Sequence, residues 1–236
     1  MNASKEDARS WLGNAQSIAV LTGAGVSAES GIPTFRGAGG LWRNFRAEDL
    51  ATPEAFAENP DLVREWYQWR RAAVRKAAPN PAHYALAKLE RCKRGFLLIT
   101  QNVDDLHERA GSRNVAKLHG AIMIDRCIQC QREREAGDQD NCECGGRLRP
   151  GVVWFGEALP EREFLRAAAA VEKCDVLLVV GTSAVVYPAA GLIPSATFHR
   201  AKVIEVNLEE TPFSANVDCS LRGLAGEILP DLLPDS

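Results

Sequence analysis

Four cysteines are spaced as metal ligands. They form a C-x-x-C pair and a C-x-C pair: Cys127, Cys130, Cys142 and Cys144. Four thiolates in two turn-bound pairs suit the tetrahedral coordination of zinc. Because four cysteines fill every position around the ion, none is left for water, and the predicted zinc is structural. The other three are predicted to be small buried apolar residues: Cys92, Cys174 and Cys219.

A glycine pattern, G-x-G-x-x-A, follows the first apolar run and comprises Gly23, Gly25 and Ala28. The first glycine permits a tight turn, the second lets the backbone approach a pyrophosphate, and the alanine permits close packing of helix on sheet. Backbone N–H groups at the start of the next helix would then hold the phosphates. The pattern predicts a dinucleotide site, although a plain strand-to-helix turn also uses glycine.

The segment after the glycine loop does not suit a hydride-transfer dehydrogenase. Such an enzyme uses an acidic residue about 20 residues further on, at the end of a second strand, to hold the ribose. Glu48 and Asp49 lie at nearly that distance, but residues 37–46 are rich in glycine and basic residues and do not read as a strand. We therefore expect the dinucleotide to be bound differently.

A histidine, His119, follows another apolar run, at residues 115–118. Imidazole is largely neutral near neutral pH and can accept a proton, so His119 is a candidate general base. The alternative is a histidine that caps a buried strand. The other histidines are predicted to be structural: His83, His107 and His199.

Composition narrows the function classes. The net charge of −3 provides no bulk attraction to a nucleic acid backbone. An odd number of cysteines and a polar N-terminus without an apolar core argue against a secreted disulfide scaffold. Residues 176–198 carry no charge, but their glycines and prolines divide them into short pieces, so no membrane span is expected. We expect a cytoplasmic protein whose partners include neither nucleic acid nor membrane.

The elements that must position these residues alternate along the chain. Apolar runs that end in small or polar residues predict buried parallel strands: 17–21, 96–100, 115–118, 176–180 and 203–206. Helical patterns lie between and after them: 81–91, 106–110, 161–172 and 223–232. This alternation predicts an α/β fold, a Rossmann-type parallel sheet with helices on both faces, in which ligands bind at the carboxyl ends of the strands.

Two insertions interrupt the alternation, and we expect them to form a second, smaller domain. They are a helical segment, residues 37–78, and the cysteine-containing segment, residues 122–150. The predicted large dinucleotide-binding domain then consists of residues 1–36, 79–121 and 151–236.

The joint order of short motifs resembles the sirtuin family from about residue 17 to residue 230. The cysteine cluster lies among them in the family's order, and the other motifs are residues 23–36 (GAGVSAESGIPTFR), 40–42 (GLW), 100–107 (TQNVDDLH), 118–120 (LHG), 153–157 (VWFGE), 181–183 (GTS) and Asn207. The resemblance implies a Rossmann-type domain, a small zinc and helical domain, and NAD and an acyl-lysine of another protein bound in the cleft between them.

The resemblance also implies that NAD is consumed. The acyl oxygen of the substrate lysine would attack the ribose carbon as nicotinamide departs. His119 would deprotonate a ribose hydroxyl, which attacks the acylated carbon, and the products would be free lysine, nicotinamide and O-acyl-ADP-ribose. The implied NAD-binding residues are Gly23, Ala24, Gly25, Ser27, Glu29, Phe35, Arg36, Gln101, Asn102, Asp104, Gly181, Thr182, Ser183, Asn207 and Ala225.

Within that set, Asn102 and Asp104 would position the nicotinamide ribose and carboxamide. Phe35 would shield the reactive carbon from water, and Arg36 would lie near the phosphates. The adenosine half would be held by Gly181, Thr182, Ser183 and Asn207, with Ala225 beside the adenine. On the substrate side, the backbone of residues 153–157 would pair with the peptide as an added strand, with binding residues Val153, Phe155, Gly156 and Glu157.

A predicted helix at residues 61–76 bears on the acyl group. One stripe of this helix carries Val63, Tyr67, Arg70 and Val74, and an adjacent stripe carries Leu62, Trp66, Trp69 and Ala73, so much of the helix should be buried. The alternative explanation of the stripe is a core tyrosine and an arginine that extends to the surface. However, Y-x-x-R resembles the pair of the desuccinylase and demalonylase branch, which implies that Tyr67 and Arg70 bind a distal carboxylate.

Removal of succinyl or malonyl groups, with acetyl also accepted, is therefore the expected activity. Three alternatives stay open: a plain deacetylase, a mono-ADP-ribosyltransferase and a non-catalytic NAD-sensing module.

Overall fold

The computed structural model describes residues 3–34, 41–42 and 45–233. Its strands are β1 (Ser17–Thr22), β2 (Leu41–Trp42), β3 (Phe45–Arg46), β4 (Gly95–Thr100), β5 (Val115–Lys117), β6 (Gly120–Cys127), β7 (Glu133–Glu135), β8 (Leu148–Val152), β9 (Val176–Val180), β10 (Lys202–Asn207) and β11 (Cys219–Arg222). Its helices are α1 (Lys5–Asn14), α2 (Ala24–Ala28), α3 (Ala47–Leu50), α4 (Pro53–Glu58), α5 (Pro60–Lys76), α6 (Pro81–Cys92), α7 (Leu106–Arg109), α8 (Glu161–Val171), α9 (Leu192–Phe198) and α10 (Ala225–Leu232).

A six-stranded parallel sheet, in the order β11-β10-β9-β1-β4-β5, forms the centre of the fold. Side chains alternate across each strand, so Val20 packs under α1, α6 and α10, whereas Leu21 packs under α8 and α9. Both faces are covered, which explains why the central strands are almost uniformly apolar. The predicted α/β fold with helices on both faces is confirmed.

Strand β11 and helix α1 are among the elements that were not predicted from the sequence. Strand β11 is short and pairs only with β10 at the edge of the sheet, and of its residues only Cys219 is fully buried. Helix α1 begins at a capping box in which Ser4 and Asp7 exchange hydrogen bonds. One cysteine prediction is wrong: Cys92, at the end of α6, is exposed, whereas Cys174 is buried as expected.

The uncharged stretch at residues 176–198 is divided as predicted. It contains β9, a loop, a short 3-10 helix (Ala189–Gly191) and α9. Within the described ranges of the chain, no helix is both long enough and apolar enough to cross a membrane.

Helix α5 lies against a three-stranded antiparallel sheet, in the order β7-β6-β8, which carries part of the cysteine cluster. The helix begins where Asn59 caps the N–H of Leu62 and proline follows at the first helical position. Arg71, on the buried side, forms an ion pair with Asp125 of β6 at 2.6 Å and donates to the carbonyl of Ile122 at 2.7 Å. The two insertions are thus joined by buried polar contacts, and the exact domain boundaries stay a prediction.

The burial of α5 matches only part of the predicted stripes. Val63, Tyr67 and Val74 are fully buried, and Arg70 is half-buried. Trp69, in the adjacent stripe, is 41 % exposed, so the burial that was expected for much of the helix does not extend to that residue. The face turned to the small sheet instead includes the neighbouring Arg71, which a purely hydrophobic stripe does not indicate.

The short strands β2 and β3 pair antiparallel with each other and stand apart from the central sheet. The described residues of segment 37–46 therefore supply no second parallel strand, as expected.

Candidate active site and metal site

The glycine turn between β1 and α2 packs directly on the loop after β9. Gly23 N donates to the carbonyl of Val180 at 3.1 Å, and Gly25 N donates to the carbonyl of Gly181 at 2.8 Å. A Cβ atom on Gly25 would lie only 2.8 Å from the Gly181 oxygen, and one on Gly23 would lie 2.7 Å from Cβ of Thr182. Both glycines are therefore required by contact between two loops at the carboxyl edge of the sheet.

A buried polar cluster lies where β4 ends beside the glycine turn. Asn102 Nδ2 donates to Ser27 Oγ at 3.1 Å, and Ser27 Oγ donates to Asp104 Oδ2 at 2.9 Å. Burial raises the pKa of Asp104, while hydrogen bonds from Leu106 N and Ser27 oppose the rise. These three predicted residues hold one another in a single arrangement. Gln101 extends the network by donating to Thr182 Oγ1 at 3.0 Å.

His119 lies after β5, next to this cluster. Its Nδ1 is 2.8 Å from the carbonyl oxygen of Gln101. Because a carbonyl only accepts, Nδ1 carries the proton and Nε2 keeps its lone pair in the neutral ring. Burial lowers the pKa of His119, and the hydrogen bond to Gln101 partly opposes this. The geometry therefore presents a neutral imidazole whose Nε2 can accept a proton.

A cleft at the other end of the carboxyl edge is lined by Gly25, Glu29, Gly181, Asn207 and Ala225, among others. Asn207 Nδ2 donates to the carbonyl of Thr182 at 3.1 Å, and Glu29 accepts the N–H of Gly226 in α10 at 3.0 Å. The carboxylate of Glu29 thus fixes the helix that forms one wall of this cleft.

The structure describes all but two of the predicted cofactor residues. Phe35 and Arg36 lie outside the described residues. Ser183 is exposed, whereas its neighbour Thr182 is buried and caps the turn by accepting the N–H of Ala184 at 3.2 Å.

The segment after β8 runs beside His119. Strand β8 ends at Val152, and Val153 N donates to the carbonyl of His119 at 3.0 Å. Phe155 N and Glu157 N also donate within the protein, to Ala51 and Trp154 respectively. The carbonyl groups of Val153, Phe155 and Gly156 accept no such bond from any described residue, and Phe155 is 42 % exposed.

Tyr67 and Arg70 lie together near the cofactor cluster. The Arg70 guanidinium is 5.8 Å from the Tyr67 ring centroid and 5.1 Å from that of Trp66. Burial lowers the pKa of Arg70, while Tyr67 and the carboxylate of Asp104 oppose the change. Arginine nevertheless stays charged in proteins. Arg70 is thus a permanent cation within electrostatic reach of Asp104.

The four predicted metal ligands come together. Their sulfur atoms all lie within 4.8 Å of one another. The Sγ atoms of Cys127 and Cys144 are 3.5 Å apart, and those of Cys130 and Cys142 are 3.7 Å apart. A Zn–S bond of about 2.3 Å in a tetrahedron requires sulfur separations of roughly 3.8 Å, so the residues fit zinc. The N–H groups of Cys130 and Gln129 lower the pKa of Cys127 and favour its thiolate.

Comparison with known proteins establishes the family. Residues 23–188 match the Sir2 family. The chain is a member of the Sir2 family, the sirtuins. This sirtuin is 52 % identical over 223 residues to NAD-dependent protein deacylase 1 of Archaeoglobus fulgidus, across 92 % of this chain and 91 % of the relative. It is 55 % identical over 208 residues to an NAD-dependent protein deacylase of Aquifex aeolicus, across 85 % of this chain and 87 % of that one.

Solved structures agree with the family assignment. A Sir2 homologue in complex with NAD superposes on this sirtuin with a TM-score of 0.93 at 50 % identity, covering 98 % of this chain and 93 % of that one. A Sir2 protein bound to a p53 peptide and NAD+ superposes with a TM-score of 0.88 at 31 % identity, covering 98 % of this chain and 97 % of that one.

Two residues that matter for the geometry of this sirtuin were missed at the level of sequence. Arg149 binds Glu157 through two hydrogen bonds, and Trp154 donates to Tyr67. Trp154 lies inside a motif that was recognised, but neither residue has a spacing that indicates its partner. Only the folded chain reveals these pairs.

Proposed function

We propose that this sirtuin is an NAD-dependent protein-lysine deacylase that favours acyl groups ending in a carboxylate, such as succinyl and malonyl. The general activity rests on membership of the Sir2 family and on relatives named NAD-dependent protein deacylases. The acyl preference rests on one observation: Arg70 is a half-buried cation whose guanidinium lies 5.8 Å from the centroid of the Tyr67 ring.

When bound, NAD supplies the ribose carbon from which nicotinamide leaves. We assign the nicotinamide ribose to the cluster of Asn102, Ser27 and Asp104, because its polar groups already hold one another beside His119. The adenosine half is assigned to the cleft beside Asn207 and Ala225. Preset polar groups need little rearrangement on binding, which favours the close alignment that a weak carbonyl nucleophile requires.

His119 is assigned as the general base. The carbonyl of Gln101 holds the proton on Nδ1, so Nε2 is free to take a proton from a ribose hydroxyl. The lowered pKa keeps the ring neutral at physiological pH, which is the form that a base requires.

The carboxylate preference follows from the charge of Arg70. A guanidinium binds a carboxylate through charge-assisted hydrogen bonds, and Tyr67 adds a hydroxyl donor. Hydrogen bonds to charged groups contribute roughly 1.5–3 kcal/mol, which corresponds to a preference of about tenfold or more over acetyl. Acetyl groups lack the distal carboxylate and gain nothing from Arg70.

The peptide backbone is assigned to the segment after β8. The carbonyl groups of Val153, Phe155 and Gly156 can accept N–H groups of an extended peptide, whereas the N–H groups of Val153 and Phe155 already donate within the protein. Pairing through carbonyl groups beside His119 would place the acyl-lysine near the base.

Paired succinyl-lysine and acetyl-lysine peptides, followed by mass spectrometry with and without NAD, test this proposal. We expect NAD-dependent loss of both groups with succinyl favoured, and no turnover by His119→Tyr. Arg70→Met should lower desuccinylation about tenfold and spare deacetylation, whereas Arg75→Met, at an exposed position of the same helix, should change neither.

The outcomes separate the alternatives. Equal removal of both groups would leave a deacylase without a carboxylate preference, and removal of acetyl alone would leave a plain deacetylase. Equal loss of both activities in Arg70→Met would make Arg70 structural. ADP-ribose left covalently on a protein would indicate a transferase. NAD binding without nicotinamide release would indicate a sensing module.

A further inference from the structure

The Tyr67 hydroxyl is held by a residue outside the Y-x-x-R pair. Trp154, in the segment after β8, places its indole Nε1 2.9 Å from Tyr67 Oη. Both side chains are buried, with 3 % of Trp154 and 1 % of Tyr67 exposed. This hydrogen bond therefore forms out of reach of competing water.

The direction of this bond decides what Tyr67 can do. An indole N–H only donates, so the Tyr67 oxygen must accept. The hydroxyl proton of Tyr67 is then directed away from Trp154 and stays available for a second acceptor. A carboxylate bound by the neighbouring Arg70 is such an acceptor.

Trp154 is itself firmly placed. The guanidinium of Arg149 stacks 3.3 Å from its ring centroid, and the ring of Phe56 lies 5.3 Å away on centroids. Arg149 is fixed in turn by Glu157, through bonds of 2.5 and 2.9 Å, and by the carbonyl of Val152 at 2.9 Å. Glu157 also accepts the backbone N–H of Trp154 at 2.8 Å, so the backbone of Trp154 is held as well as its ring.

We propose that Trp154 is a specificity-determining positioning residue, which orients the Tyr67 hydroxyl toward the distal carboxylate of an acyl chain. This inference rests on the proposed preference for acidic acyl groups and extends it to a residue that does not touch the substrate. Trp154 also adjoins Val153 and Phe155, so the same segment both pairs with the peptide and sets the acyl pocket.

The variant Trp154→Phe removes the N–H donor but keeps an aromatic ring against Arg149 and Phe56. We expect the ratio of kcat/KM for succinyl over acetyl peptides to fall about fivefold, the effect of one hydrogen bond of ordinary strength. Any general effect of the substitution on peptide binding should lower kcat/KM for both peptides alike and so cancel in the ratio. Trp11→Phe, at a remote tryptophan on α1, should leave the ratio unchanged.

A double variant tests whether Trp154 acts through Tyr67. If it does, Trp154→Phe in the Tyr67→Phe background causes no further fall in the ratio. A further fall, an unchanged ratio in Trp154→Phe, or equal loss of both activities would each overturn the inference.

A measurement on the wild-type protein removes any dependence on how the variants fold. The 15N-labelled indole N–H resonance of Trp154 should shift further when a succinyl-lysine peptide binds than when the matched acetyl-lysine peptide binds, because only the succinyl group places a carboxylate at the Tyr67 hydroxyl. Equal responses to the two peptides contradict the inference.

The variant Arg70→Met distinguishes a failure of the proposed acyl preference from a failure of the role of Trp154 alone. If Arg70→Met lowers the succinyl ratio and Trp154→Phe does not, the acyl preference stands and only the role of Trp154 fails. If Arg70→Met leaves the ratio unchanged, the preference and the inference fail together.

Discussion

Removal of the buried cation Arg71 should destabilise the region that carries the proposed acyl pocket. Arg71 and Asp125 are each only 1 % exposed and lie 2.6 Å apart. In Arg71→Met the carboxylate of Asp125 keeps, among the described residues, the N–H of Gly137 at 3.3 Å, and the carbonyl of Ile122 loses the Arg71 guanidinium as a donor. Loss of one member of a buried ion pair costs about 3–5 kcal/mol, because the other charge stays buried without compensation.

This loss in the free energy of unfolding should be measurable as a fall in the melting temperature. For a chain of 150–250 residues, each kcal/mol lowers the melting temperature by about 2–4 °C, so we expect a fall of roughly 6–20 °C. Urea unfolding of the zinc-loaded protein, followed by tryptophan emission, is a suitable assay because Trp66 and Trp154 are buried in the same cluster as Ile122. Arg75→Met is the matched control, since Arg75 is exposed on the same helix.

Two results would refute this reasoning. A loss below about 1 kcal/mol in Arg71→Met would show that the pair contributes no more than a surface ion pair. An equal loss in Arg75→Met would show that the long aliphatic stem or the net charge matters, rather than burial.

Further predictions concern the base and the glycine turn. Burial lowers the pKa of His119 below its ordinary value of 6.5, and only the neutral ring accepts a proton. The acidic limb of the profile of kcat/KM against pH should therefore lie below pH 6.5. An inflection above that pH would contradict the assignment of His119 as the base. Gly25→Ala should destabilise the fold by about 1–3 kcal/mol and weaken NAD binding in calorimetry, because its Cβ would lie 2.8 Å from the Gly181 oxygen. Gly13→Ala, with no atom within 4 Å of the new Cβ, should instead be neutral or stabilising, and a similar loss in both variants would argue against the contact.

Much of the fold could be predicted from local patterns of apolar residues in the sequence. The apolar runs predicted five of the six strands of the central sheet, since buried parallel strands are continuous and apolar. They did not predict β11, because its sequence, CSLR, is mostly polar and becomes a strand only by pairing with β10. Similarly, the exposure of Cys92 depends on which side of α6 faces solvent, and the residue type alone does not encode this.

For the site, the sequence by itself determined which residue types stand at the strand ends and which four cysteines bind metal. Tertiary structure decided which residues form hydrogen bonds with one another, as Gln101 does with Thr182 and Trp154 with Tyr67. It also decided that the proton of His119 lies on Nδ1. The physical reason is the separation along the chain over which each kind of interaction acts. Turns, caps and periodicity act between neighbouring residues, whereas a hydrogen bond between distant segments depends on how whole layers pack and so has no local signature.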